Sequence, residues 1–452
     1  MITMHQQILS KIQEKMATVG VIGLGYVGLP LAVGMAKCGY PVIGIDASPE
    51  KVDSLNRGVS YIPDVATEEL NSLVARNLLR ATTRYDTLKD VDVIFICVPT
   101  PFDSMKSPDL KYVRQAAEGI TPYLCLGQLV VLQSTTYPGT TEEVVKPILE
   151  QSGLQAGQDF FLAFSPERID PGRTDYTVEN TPKVVGGITA ESAQLAGALL
   201  GHLTPEIYLV SSPRAAEMTK LLENIFRSVN IALVNELAVL SERMGIDFWE
   251  VIEAAKTKPF GFMPFYPSAG VGGHCIPVDP YYLSWKAREY DFYTRFIELA
   301  AEVNGDMPYH TVDLIRQALN RHGKNLRNAK VLVLGVAFKP NIDDARNSPA
   351  ERVIELLLKD QADVSYHDPF VPHFRVGGDV ICREFVTFDS VSLTAEYLAG
   401  LDGVVIVTRH QTIDYDWVVH HSPMVIDTVN ATRNLLAESQ HKVVRLGSPN
   451  FQ

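Results

Sequence analysis

Cysteine is scarce in this chain: five among 452 residues, Cys38, Cys97, Cys125, Cys275 and Cys382. An odd number without metal-ligand spacing excludes a disulfide framework and a structural metal module, and it fits a reducing cytoplasm. Positive charge is also short, with 40 Lys and Arg against 53 Asp and Glu and a formal charge of -13. That balance argues against a surface built for nucleic acid or for an anionic membrane, so any phosphate must be held by local devices. No apolar run approaches the ~18 residues that would span a bilayer. The opening segment, Met1 to Met16, mixes Lys11, Glu14 and Lys15 with scattered apolar residues and has no apolar core before a cleavage site. No signal peptide is expected there. What is present is an ordinary globular composition, 46% hydrophobic and 21% charged, in a chain long enough for about three domains.

A short apolar strand, Thr18 to Ile22, leads into Gly23-Leu24-Gly25-Tyr26-Val27-Gly28 and then a helical run from Leu29 to Cys38, which Gly39 ends. A second strand, Pro41 to Ile45, finishes at Asp46, 18 residues beyond Gly28. Strand, three glycines, helix, strand and acid make a dinucleotide-binding arrangement, with the pyrophosphate against a helix N-terminus. Asp46 would accept hydrogen bonds from the ribose hydroxyls and repel a 2′-phosphate, which favours NAD over NADP. Strands Val91 to Val98, Gln128 to Gln133 and Phe160 to Phe164 end in Val98-Pro99-Thr100-Pro101, Ser134 to Thr141 and Ser165-Pro166-Glu167-Arg168. Ligands sit at the carboxyl ends of parallel strands, so these loops face the cofactor edge. Their hydroxyls also serve to cap a helix beginning near Thr141. Glu167 is either a solvated charge or, by its place at that edge, a catalytic group.

In Gly270-Val271-Gly272-Gly273-His274-Cys275-Ile276-Pro277-Val278-Asp279-Pro280, a thiol sits in a glycine-rich loop four residues ahead of a carboxylate. Glycines let the backbone approach a ligand, and the prolines stiffen the chain beyond the sulfur. Cys275 reads as a nucleophile able to hold a substrate carbonyl covalently, the plain alternative being a small buried Cys in a turn.

Ser212 and Pro213 cap a helical run reaching Met244, with apolar Met218, Leu221, Leu222, Ile225, Val229, Leu233, Leu237 and Leu240 at helical spacing. At about 50 Å this is a connecting element that also builds a dimer. Glu217, Lys220 and Asn224 share one stripe of it. Further helix is expected from about Pro280 through Ala301. From Lys330 the order of strand, glycine, helix, strand and acid returns: Gly335-Val336-Ala337-Phe338-Lys339-Pro340 follows a strand, a helix starts near Ser348-Pro349, and the strand Asp363 to Tyr366 ends in His367-Asp368-Pro369. Strands Gly403 to Val407, Met424 to Asp427 and Lys442 to Leu446 complete this degenerate nucleotide fold, in which Lys339 and Arg346 supply positive charge.

The chain from about Thr18 to Leu446 resembles the UDP-glucose/GDP-mannose dehydrogenase family of four-electron nucleotide-sugar 6-dehydrogenases. The resemblance is carried by Gly23 to Pro30, Val98 to Pro101, Ser134 to Thr136, Ser165 to Arg168, Glu217 to Asn224, Gly272 to Pro280 and Ala337 to Pro340. It implies an α/β protein: two Rossmann-like doubly wound domains joined by a central helical domain. The expected boundaries are an NAD domain at 1–210, a dimerisation domain carrying the thiol loop at 211–320, and a UDP-sugar domain at 321–452.

Within that likeness Cys275 carries the thiohemiacetal and thioester, Lys220 and Asp279 stabilise and deprotonate the oxygen intermediates, Glu167 assists the hydrolytic water, and Asn224 positions the substrate. The cofactor falls to Gly23, Gly25, Tyr26, Val27, Gly28, Asp46, Lys51, Pro99, Thr100, Thr135 and Arg346. The UDP-sugar falls to Glu167, Arg168, Lys220, Asn224, Tyr266, Gly272, Phe338 and Lys339. Glu167 to Arg173, Lys258 to Phe262 and Trp285 to Arg288 resemble the branch acting on UDP-N-acetylhexosamines, with UDP-N-acetylglucosamine expected and UDP-N-acetylmannosamine or UDP-glucose as alternatives. Val429 stands where the family usually carries Arg, which leaves a phosphate or neighbouring-subunit contact open, with Arg433 as its replacement. A cytoplasmic homo-oligomer serving surface polysaccharide synthesis is expected. The rival from another class is a non-catalytic NAD and UDP-sugar sensor; a two-electron hydroxy-acid dehydrogenase leaves the thiol loop unexplained.

Overall fold

Eight short strands build the first sheet: β1 (Val19–Ile22), β2 (Val42–Ile45), β3 (Leu79–Thr82), β4 (Val93–Ile96), β5 (Leu129–Leu132), β6 (Phe161–Phe164), β7 (Lys183–Gly187) and β8 (Ile207–Val210). β1, β2, β4, β5 and β6 are buried end to end, as near-continuous apolar runs covered on both faces must be. In this computed structural model the strand order is β3-β2-β1-β4-β5-β6-β7-β8. All pairs are parallel except β6 with β7. The chain therefore reverses between β6 and β7. The structure describes residues 3–102, 107–169, 175–273, 276–434 and 437–450.

The second sheet is wholly parallel, β9 (Lys330–Leu334), β10 (Asp363–His367), β13 (Gly403–Ile406), β14 (Val425–Asp427) and β15 (Val443–Arg445), in the order β10-β9-β13-β14-β15. A separate antiparallel hairpin pairs β11 (His373–Val376) with β12 (Val386–Asp389). In both sheets the strand order reverses direction beside the first strand of its own unit, at β1/β4 and at β9/β13, which is where doubly wound sheets open a crevice.

Two compact units emerge: residues 1–223 with 281–292, and residues 224–280 with 293–452. The long helix Pro213–Met244 gives its first turns to one unit and the remainder to the other. Its buried face mixes polar Glu217, Lys220, Asn224, Ser228, Asn235 and Ser241 with apolar Ala216, Leu221, Ala232, Val234 and Ala238, while Met218, Leu222, Phe226, Leu233, Leu237 and Leu240 are exposed.

The doubly wound α/β expectation stands, with four corrections. β3, β7, β8 and the hairpin were not foreseen, because β3 alternates polar and apolar residues, β7 opens on a lysine, and β8 lies at the sheet edge with its side chains partly exposed. Near Thr141 the helix starts as a wide π-type turn, Thr141–Val145, before Lys146–Leu149. The stretch expected from Pro280 through Ala301 is two helices, Asp279–Ala287 and Arg295–Arg321, parted at Asp291, whose φ is +51°. The strands expected at Val91 to Val98 and Gln128 to Gln133 are shorter, Val93–Ile96 and Leu129–Leu132. Among the described residues no helix is long and apolar enough to cross a membrane.

Candidate active site

The glycine turn sits between β1 and the helix Gly28–Lys37. A Cβ on Gly28 would lie 1.8 Å from the Gly23 carbonyl oxygen, so only glycine lets turn and helix pack here. A Cβ on Gly25, by contrast, meets nothing within 4 Å. That open space, together with a helix N-terminus at Val27 that has no side-chain cap, fits a pyrophosphate taking the backbone N–H groups. Asp46 lies just past β2, its Oδ2 accepting from the Leu24 amide at 2.8 Å and its Oδ1 from the Ser48 amide at 2.9 Å. Lys51 Nζ lies 3.4 Å from Asp46 Oδ2. Pro99 and Thr100 follow β4, and Thr135 follows β5; the Thr100 carbonyl accepts from the Tyr282 hydroxyl. Two further hydroxyls past β5 and β6, Thr136 Oγ1 and Ser165 Oγ, are buried without a partner among the described residues. Arg346 belongs to the second unit, where its guanidinium forks onto Asp344 at 2.9 and 2.6 Å.

Glu167 is buried just past β6. Its Oε1 accepts from the Arg168 and Ile169 amides at 2.8 and 3.0 Å, and its Oε2 from Gln133 Nε2 at 2.8 Å and Lys183 Nζ at 2.7 Å. Burial pushes its pKa up, but the Lys183 ammonium and the two amides outweigh burial and hold it below the ordinary value. A carboxylate offers about four acceptor positions, and all of these are taken. The neighbouring Arg168 turns its guanidinium to Glu223 at 2.6 Å and to the Pro182 carbonyl at 2.9 Å.

On the long helix, Glu217 is fully buried and ties the helix to the loop after β5, accepting from Gly139 N (2.6 Å), Thr141 N (2.9 Å) and Thr141 Oγ1 (2.7 Å). Burial raises its pKa, against the pull of these donors. One turn on, Lys220 is 8% exposed, and its ammonium has neither a hydrogen bond nor an ion pair among the described residues.

In the second unit Asn224 Nδ2 donates to Asp279 Oδ2 at 2.5 Å, both residues buried. The glycine loop is fastened to the loop after β9: Gly273 N donates to the Arg346 carbonyl (3.1 Å), and Asn347 Nδ2 to the Gly273 carbonyl (3.2 Å). A Cβ on Gly272 would lie 2.8 Å from Phe338 Cβ, so glycine is required by that approach. Phe338 and Lys339 are half-buried beside it, while Tyr266 stacks on Trp249 and donates to Glu253 at 3.1 Å. Cys275 and His274 lie outside the described residues, as does Asp170 to Arg173 in the substrate-branch motif. Val429 packs against an apolar cluster and Arg433 is exposed.

Lys183 was missed from sequence. Its signal was a lysine inside an otherwise apolar run, Lys183-Val184-Val185, and its burial follows from its pairing with Glu167.

A nucleotide crevice at β1/β4, a second one at β9/β13 and a largely buried lysine on the long helix fit a dinucleotide-dependent oxidoreductase with a further nucleotide-type domain. Signatures of the UDP-glucose/GDP-mannose dehydrogenase family match at residues 17–204 (NAD binding domain), 214–306 (central domain) and 332–434 (UDP binding domain). A UDP-N-acetyl-D-glucosamine 6-dehydrogenase of Pseudomonas aeruginosa is 39% identical over 355 residues, 78% of this chain and 83% of its own length. A UDP-N-acetyl-D-mannosamine dehydrogenase of Pyrococcus horikoshii is 36% identical over 394 residues, 87% of this chain and 89% of its own length. The solved UDP-D-ManNAc dehydrogenase structure from Pyrococcus horikoshii superposes with a TM-score of 0.85 at 32% identity, covering 96% of this chain and all of that one. The chain belongs to the UDP-glucose/GDP-mannose dehydrogenase family of NAD-dependent nucleotide-sugar dehydrogenases, and the relatives named above act on UDP-sugars.

Proposed function

We propose that the protein oxidises UDP-N-acetylglucosamine at C6 to the uronic acid, in two hydride transfers through a thioester on Cys275. The observation that carries this reading is Lys220, a largely buried lysine with no hydrogen-bond or ion-pair partner among the described residues, one helical turn from Asn224, whose amide holds Asp279. NAD, when bound at the Gly23 to Gly28 turn, accepts hydride. Asp46 orients its ribose, and the open face of Gly25 admits its phosphates. Lys220 stabilises the alkoxide formed when the C6 hydroxyl loses its proton, with Asp279 as the proton acceptor. Departure of hydride leaves an aldehyde, to which the Cys275 thiolate adds as a C–S bond forms. The tetrahedral thiohemiacetal gives up the second hydride, for which a second NAD would be the acceptor, and becomes a thioester. Water then breaks the C–S bond, giving the carboxylate and regenerating the thiolate. Glu167, ionised and fully bonded, shapes the strand-end loop; a water meets its carboxylate only by displacing one of its donors. Gly272, Phe338, Lys339 and Tyr266 line the UDP-sugar side.

UDP-N-acetylmannosamine is the second reading, favoured by the names of relatives at comparable identity. The exposed row of Met218, Leu222, Phe226, Leu233, Leu237 and Leu240 supports a homodimer built on the long helix. The free thiols of Cys38, Cys97, Cys125 and Cys382 support a reducing, cytoplasmic setting, and a role in supplying surface polysaccharide precursors follows from the product.

The test counts NADH formed per UDP-sugar consumed, offering UDP-N-acetylglucosamine, UDP-N-acetylmannosamine and UDP-glucose separately to wild type and Cys275→Ala. About two NADH per sugar, lost in the variant, is expected from the thioester route. One NADH per sugar, surviving in Cys275→Ala, would remove the thiol from the chemistry, and binding of NAD and UDP-sugar with no turnover of any sugar would favour a sensor.

A further inference from the structure

Lys183 has no assigned part in the reaction, yet it is the only lysine among the largest fully buried side chains, at 0% exposure at the start of β7. Its ammonium reaches Glu167 Oε2 across the one antiparallel junction of the first sheet. The same oxygen takes Gln133 Nε2, and the Gln133 side-chain carbonyl faces the Cys97 thiol at 3.7 Å. Cys97 in turn backs the cofactor turn: a Cβ on Gly23 would lie 2.4 Å from the Cys97 carbonyl oxygen. A buried polar row thus runs across the carboxyl ends of β4, β5 and β6 to the amino end of the antiparallel β7. At its far end the other Glu167 oxygen holds the Arg168 and Ile169 amides, folding the strand-end loop around the carboxylate.

We propose that Lys183 is a positioning residue: by pairing with Glu167 it keeps that carboxylate anionic and turned inward, and so sets the Ser165 to Ile169 loop in its working shape. This rests on the dehydrogenase reading above. A neutral Glu167 would carry a proton on one oxygen and so lose at least one of its four donors, opening the loop. The groups facing Glu167 are few. From β7 there is Lys183, from β5 the uncharged Gln133, and from β4 the Cys97 thiol, which burial pushes up and so keeps neutral. Arg168, next in the chain, spends its guanidinium on Glu223 and the Pro182 carbonyl. Lys183 is therefore the cation that holds the charge on Glu167.

The test uses the full-length protein as Lys183→Met, Lys183→Arg and the doubly neutral Lys183→Met/Glu167→Gln. In Lys183→Met the peptide spanning 165–169 is expected to exchange amide hydrogen at least about tenfold faster than in wild type. The kcat falls about 100-fold with the KM for NAD within about twofold, because the cofactor turn stays in place. The acid limb of the kcat profile moves to higher pH, since a carboxylate deprived of its cation ionises later as pH rises. Lys183→Arg recovers slow exchange and at least about a tenth of the activity. The double variant leaves no unpaired buried charge and melts cooperatively, yet exchanges fast and stays inactive. Wild-type exchange and pH profile in Lys183→Met overturn the assignment, as does a KM for NAD that rises in step with the loss of kcat. Should wild type itself turn over no UDP-sugar, the dehydrogenase reading fails while the exchange rates still decide the role of Lys183.

Discussion

At the end of β1, Gly23 donates its amide to the Ile45 carbonyl at 2.7 Å and turns with φ +89°; at the end of β9, Gly335 does the same to His367 at 2.9 Å with φ +83°. The next amide in each, Leu24 and Val336, donates to the acid ending the neighbouring strand, Asp46 at 2.8 Å and Asp368 at 2.7 Å. From there the two turns part. Asp46 keeps some exposure, 11% of its side chain, and one further amide on Oδ1. Asp368 is sealed at 0%: Oδ2 also takes the Ala337 amide (2.9 Å) and His410 Nε2 (3.0 Å), and Oδ1 takes Phe370 and Val371 (2.9 and 3.2 Å). His410 Nδ1 accepts from Asn341 N at 3.1 Å, so the ring proton sits on Nε2. One device thus serves two ends: the acid of the first unit keeps an exposed edge, and that of the second is spent on holding its own loop, which carries Phe338 and Lys339.

Asp368→Ala breaks this comparison most severely. It orphans four buried amides and His410, and about 3–5 kcal/mol of stability should be lost in denaturant titration. A loss no larger than that of Asp46→Ala would mean the sealed acid holds nothing. Asp46→Asn is expected to leave the melting temperature nearly unchanged while weakening NAD by a factor corresponding to about 1.5–3 kcal/mol and narrowing the preference over NADP, read by calorimetry. Gly25→Ala places its methyl in open space, so folding stands and NAD binding drops about tenfold; unaltered affinity would show that the cofactor does not lie against that face.

The smallest effect is on pH dependence. Burial raises the Asp368 carboxyl, but His410 and the amides win and hold it below the ordinary value. Its contribution is therefore present above the unfolded value, near ~3.9, and is lost as pH falls through the folded one. Asp368→Asn should flatten the acid arm of the stability curve. Glu217 has the opposite sign: burial raises its pKa, so stability is lost as pH rises from its unfolded value through the folded one, and Glu217→Gln should remove that slope.

The cofactor turn was legible because its residues are local: three glycines, a helix and an acid fall within one strand-helix-strand unit, and each has a single steric or electrostatic reason to be there. The long-range pairs were not, because Glu167 meets Lys183 only through the reversal between β6 and β7, and Asn224 meets Asp279 across a sequence separation of 55. Periodicity correctly drew the long helix but not which stripe faced inward. It placed Leu222 and Leu233 among the apolar residues, and they are exposed, whereas Lys220 beside them is buried.

By itself, then, the order of residues determined the two doubly wound sheets, the glycine turn after β1 and the family to which the chain belongs. Only the tertiary structure decided that Asp368 is sealed, that Lys183 is the cation beside Glu167, and that Lys220 is largely buried with no partner among the described residues. A charge's fate depends on which distant donors and acceptors the fold brings to it, and local pattern carries no record of those distances.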